Sequence, residues 1–117
     1  MQIQGPGPVY GPQGANGPNL TSSKKQAIDD YDAMKQAAYA VHYHPSPQAD
    51  QNFSSACSKL MGDLNDPQHF GSSLPQTAMN SIINITKINA NPPATPTAYD
   101  KQMDLASDPL CSAILNS

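Results

Sequence analysis

The stretch SPQADQNFSSACSKLMGDLNDP, residues 46–67, decides the fold class. Ser46-Pro47 has the form of a helix start: a hydroxyl cap, then a proline at the first helical position, where a missing N–H costs nothing. Phe53, Ala56-Cys57, Leu60-Met61 and Leu64 then recur every three to four residues. That spacing gathers them on one face of a helix and would scatter them over both faces of a strand. Asn65-Asp66-Pro67 stops the run. The stretch therefore predicts a helix over 47–64 with one apolar face to bury.

The flanking segments carry the same period. Upstream, Ile28, Tyr31, Met34, Ala38 and Val41 predict a helix near 23–43. Ser23-Lys24-Lys25-Gln26 has the form of a capping box at its start, and Pro45 disfavours helix at His44. Downstream, Ser73-Leu74-Pro75-Gln76 is a second such box before a helix near 74–89. Its apolar side is expected to use Ala78-Met79, Ile82-Ile83 and Ile85-Thr86. The β-branched run Ile82-Ile83-Asn84-Ile85 also suits a strand, but the cap and the want of a partner strand favour helix. Asn91-Pro92-Pro93-Ala94-Thr95-Pro96 is an extended linker. Thr97 is expected to cap a fourth helix near 98–115 through Tyr99, Met103 and Ala106, broken at Pro109 before Leu110, Cys111, Ile114 and Leu115. Phe70 lies in a loop, free to plug the core.

The expected architecture is all-α: a small bundle of about four helices over residues 21–117. Residues 1–20 read as a disordered tail, because Gly5-Pro6-Gly7-Pro8 and the run from Gly11 to Pro18 hold neither a helix nor a central strand. The core is lean. Val, Ile, Leu and Phe supply only 18 of 117 residues, a share typical of disordered chains. Compositional disorder also needs high net charge, and here the net is only −3. A marginal fold built largely on alanine and methionine follows.

Charge narrows the partners. All six basic residues are lysine, and only Lys24 and Lys25 are adjacent. Without arginine for guanine contacts or tryptophan for stacking, nucleic-acid binding is not expected. No membrane span is expected either, since the most apolar run, Met79 to Ile88, is broken by Asn80, Asn84 and Lys87. The first residues lack the basic and apolar regions of a secretory signal. The expected location is cytoplasmic at synthesis; the alternatives are secretion by a route that reads an uncleaved N-terminus and a sequence that is already a mature or recombinant form.

His42-Tyr43-His44 is the most site-like cluster. Alternate histidines in an extended segment can face one metal, with Asp50 or His69 completing the shell. The plainer alternative is a polar helix C-terminus, which suits histidine. Cys57 with a histidine base would make a nucleophile, but its place on the apolar side argues for packing. Cys57 and Cys111 allow either free thiols or one disulfide. The chain's nine acids are all aspartate, and they fit helix starts, helix ends or solvated faces without marking an acid–base pair. No phosphate loop, dinucleotide fingerprint or nucleophile elbow occurs, so no cofactor is expected.

These features favour a non-enzymatic protein-interaction module with another protein as its partner. A bacterial effector-type virulence protein, exported without a cleaved signal, is one form of it. The alternatives are a small metal- or Cys-dependent enzyme using His42, His44, Asp50, His69 or Cys57, and a structural subunit of a phage particle or appendage.

Overall fold

The computed structural model describes residues 21–117; the expected tail, residues 1–20, lies outside the described residues. Four helices account for most of it: α1 (Ser22–Tyr43), α2 (Pro47–Leu64), α3 (Leu74–Ala90) and α4 (Pro96–Leu115). No strand occurs among the described residues, so the all-α expectation holds.

The starts of the helices follow from their caps. Thr21, in extended conformation, accepts from Lys24 N at 3.1 Å, and Ser46 accepts from Ala49 N at 2.9 Å. Two expected caps move. The first helix begins on Thr21 rather than Ser23. The fourth is capped by Thr95, not Thr97, and accepts from Ala98 N at 3.1 Å. Pro96 accounts for the second shift: it holds Thr95 extended, as a cap requires, and itself takes the first helical position. The box expected at Ser73 does not form. Ser73 already has helical angles and its hydroxyl makes no capping bond, while Gln76 Nε2 donates to Asn80 Oδ1 instead.

The helices run up, down, up and down. The α1–α4 pairing fixes their antiparallel register: Lys24 Nζ donates to the Leu115 and Ser117 carbonyls at 3.2 and 2.8 Å, Tyr31 Oη to the Ser107 carbonyl at 3.2 Å, and Lys35 Nζ to Asp104 Oδ1 at 3.0 Å. The Lys24 ammonium also lies where the α4 dipole favours a cation. The closest pairings are α1 with α2 and α3 with α4. α1 touches all three other helices, whereas α2 and α4 do not meet.

The core joins Ala27, Tyr31, Met34 and Ala38 of α1 to Leu60 and Leu64 of α2, with Leu74, Ala78 and Ile85 of α3. Tyr99, Met103, Leu110 and Ile114 of α4 complete it, and Phe70 closes one end from the loop. The expected α3 face is turned. Leu74, Ala78, Ser81 and Ile85 are buried, while Met79 and Ile83 are 40% and 42% exposed. The buried four keep a single seam at steps of three and four. Met79 stands one residue past Ala78, about 100° round, and Ile83, two residues from both Ser81 and Ile85, lies nearly opposite the seam.

The expected break at Pro109 is absent, and α4 passes through it as one helix. Pro109 removes only the bond to the Leu105 carbonyl. Pro109 and Leu105 both lie on the exposed side, Leu105 at 67%, so water can take that partner's place. Leu110 and Ile114 just beyond are fully buried and hold the last turns down. The helix still bears the loss. Pro109→Ala is expected to raise stability by about 1–2 kcal/mol, read from urea unfolding with an unchanged slope.

Candidate functional site

His42 and Tyr43 close α1 and His44 caps it, so the segment is helical rather than extended. Two residues apart on a helix point to different sides. The His42 ring lies flat on Tyr99 at 4.0 Å between centroids and 21° between planes. Tyr39 and Tyr43 meet the same Tyr99 ring edge-on at 5.4 and 5.5 Å. Such geometries match the quadrupoles of the rings. Tyr99 Oη donates to Asn89 Oδ1 at 2.6 Å, and Asn89 Nδ2 donates to the Ala38 carbonyl at 2.9 Å. Burial pushes the Tyr99 phenol far above its ordinary range, and the neighbouring Tyr39 adds to this. One chain of contacts thus ties α4 to α3 and α3 to α1.

The ligand set expected around His42 and His44 is not assembled. Asp50 lies beside Val41, Phe53 and Asn89 in a recess between α2 and α3. His69 sits in the loop at the other end of the bundle, its Nδ1 2.7 Å from Asp66 Oδ2. That bond holds the half-buried Asp66 carboxyl below its ordinary range. Among the described residues no three His, Cys or Asp side chains are grouped to hold a metal ion.

The cysteines are free thiols. Cys57 faces the α2–α3 side, whereas Cys111 is turned toward Asp32 and Lys35 of α1. The sequence-allowed bridge between them is not made. Burial pushes the Cys57 thiol up to about 11, the opposite of what a nucleophile at neutral pH requires.

Two groupings escaped sequence reading. The first is a carboxyl pair, Asp30 of α1 with Asp63 of α2. Asp30 is buried, accepts from Gln26 Nε2 at 3.1 Å and stands 3.5 Å from Lys59 Nζ. Burial alone would raise its pKa, but bonds from Asp63, Gln26 and Lys59 outweigh burial and hold it low. Asp63 moves the other way, to about 6, through burial first and then the adjoining Asp30. The pair borders a polar recess lined by Ser22, Ser23, Gln26, Gly62, Asp63 and Asp66. A signal did exist. Asp30 adjoins Tyr31 and Asp63 adjoins Leu64, so each acid flanks a core position on consecutive helices.

The second grouping is an apolar groove of about 540 Å³ between α2 and α3, lined by Phe53, Ser54, Cys57, Ser58, Met61, Met79 and Ile82. Phe53 carries it on to the recess at Val41, Asp50, Thr86, Asn89 and Ala90. Phe53, Cys57 and Met61 were expected in the core. They are only half-buried because α3 stands off from α2, and Leu60 and Leu64 take the buried positions. Ile83 adds an exposed apolar side chain further round α3, whose one charged residue is Lys87.

No protein-family model, curated protein or solved structure matches this chain. Among the described residues no helix is long and apolar enough to cross a membrane.

The Tyr99 network gives a direct test of how the helices are tied. Tyr99→Phe keeps the ring stack and strands Asn89 Oδ1 without its donor. It is expected to cost about 1–2 kcal/mol in urea unfolding, with the far-ultraviolet circular dichroism unchanged.

Proposed function

We propose that this chain is a non-enzymatic protein-interaction module that receives an amphipathic helix of a partner protein in the α2–α3 groove. One observation carries the proposal. Phe53, Cys57, Met61, Met79 and Ile82 form a continuous apolar strip left open along a helix pair. Tyr43, Leu105 and Leu115 are exposed outside the groove, but here five apolar side chains are contiguous, and an apolar strip left open in a soluble domain is a recurrent mark of a binding surface.

Shape and charge select the occupant. From Asp50 to Met61 the seam follows about three turns of α2, roughly 17 Å at the helical rise. That length suits a helix with anchors at i, i+4, i+7 and i+11. The apolar stretch of the lining carries no charge, so the partner's stripe is uncharged and apolar as well. Met61 and Met79 adjust to side chains of different shape. A second copy is a poorer fit, because two concave grooves do not fill one another.

A photo-crosslinker at position 79 in the full chain, in the cells that make it, tests this. The expected product is a crosslink mapped by mass spectrometry to an amphipathic helix with an uncharged apolar stripe, lost when Ile83→Lys is added. Both positions are exposed, so the fold is retained. A product equally strong from position 32 on α1, a product with a second copy, or none at 79 overturns the proposal.

A further inference from the structure

We propose that Asp30 and Asp63 share one proton, and that this proton is a pH-sensitive latch holding the last turn of α2 against α1. The argument begins with an oxygen. Oδ2 of Asp63 is out of reach of water and has no hydrogen-bond partner. An ionised carboxylate oxygen in that position would bear the full cost of lost hydration. A protonated one becomes a donor. The Asp30 carboxyl adjoins that of Asp63 and, with Gln26 and Lys59 already directed at it, keeps lone pairs to accept another bond. The resulting O–H···O⁻ bond belongs to the short, charge-assisted class.

Placement on the helices decides which acid keeps the proton. Asp63 lies in the last turn of α2, where the helix dipole opposes a negative charge. Asp30 lies in mid-helix on α1, with Lys59 and Gln26 directed at it. Asp30 therefore carries the charge and Asp63 the proton.

The surrounding charges are few. Lys59 of α2 faces the pair and favours ionisation. Across the recess, Asp66 is engaged by His69. Of the ionisable groups of α4 that adjoin α1, Asp104, Asp108 and Cys111 lie against Tyr31, Asp32 and Lys35, and Tyr99 and Asp100 against Tyr39, all away from the pair. The one charged residue of α3, Lys87, is in its last turn, at the opposite end of the bundle.

The sign follows from linkage. The folded pKa of Asp63 lies above its unfolded value of 3.8, so the latch contributes fully below that pH and is lost as pH rises through about 6. Asp30, held low, acts in the reverse sense and only in stronger acid. Between about pH 4 and pH 7 the seam therefore loosens as two like charges come to face each other, one of them with an oxygen cut off from water.

A carbon-13 carboxyl titration of the full chain by NMR tests the shared proton directly. Asp63 is expected to keep its proton to about pH 6 while Asp30 ionises well below it. Amide exchange at residues 26–30 and 60–64, corrected for its intrinsic pH dependence, should quicken from pH 5 to 7 relative to the α3–α4 pair. Asp63→Asn keeps a donor toward Asp30 but cannot titrate, and it should abolish that change. Lys59→Met, at a side chain 65% exposed, should move the Asp63 midpoint upward. Both carboxyls ionising together near pH 4, or Asp63→Asn loosening between pH 5 and 7 as the native chain does, overturns the proposal.

Discussion

The packing of α1 is the constraint on which the rest of the bundle depends. Like α3 it touches all three other helices, it shares the most extensive pairing, with α2, and its fully buried Ala27 and Ala38 let neighbouring backbones come close. Of the large core side chains it contributes, Tyr31 reaches α4 by donating to the Ser107 carbonyl, and Met34 is fully buried. A chain with so few large apolar residues cannot fill four separate seams. It fills chiefly the α1–α2 and α3–α4 seams, and tight packing there supplies much of the dispersion and apolar burial that offset the entropy of ordering the helices.

The groove is the other side of that economy. α2 spends Leu60 and Leu64 on the core, and α3 spends Leu74, Ala78 and Ile85. What remains on both helices, Phe53, Cys57, Met61, Met79 and Ile82, lines the space between them without closing it. Uncharged Ser54 and Ser58 of α2 sit among these side chains. Such a surface stays in water without presenting a charge that a docking helix would have to desolvate. Binding there would extend the core rather than open it.

Polar groups take over where apolar ones run short. Tyr99, Asn89 and the Ala38 carbonyl connect three helices at one end of the bundle, and Asp30 with Asp63 joins α1 to α2 toward the other. The two devices differ in kind. The first is fully satisfied by neutral donors and does not titrate near neutrality. The second leaves one oxygen dependent on a proton, so its strength follows the medium. A bundle held at one end by a fixed network and at the other by a titrating one softens locally, at the end that also bears the His69 loop.

The four helices and their approximate limits could be read in the residues because each is a local matter: apolar spacing, prolines and small polar caps act within a few positions of one another. Even so, the caps at Thr21 and Thr95 show that neighbouring candidate hydroxyls compete, and backbone angles choose between them. Passage through Pro109 also lay beyond local rules, because buried Leu110 and Ile114 hold a turn that proline alone would have released. The candidate sites divide the same way. His42 and Tyr43 were visible as a cluster, but Tyr99, 56 residues further on, turns them from ligands into packing. The sequence by itself determined helix, cap and amphipathic face, since those depend on neighbours in the chain. Tertiary structure alone decided which apolar residues stay open and which two of nine aspartates meet, since both depend on helices that approach only after the chain has folded.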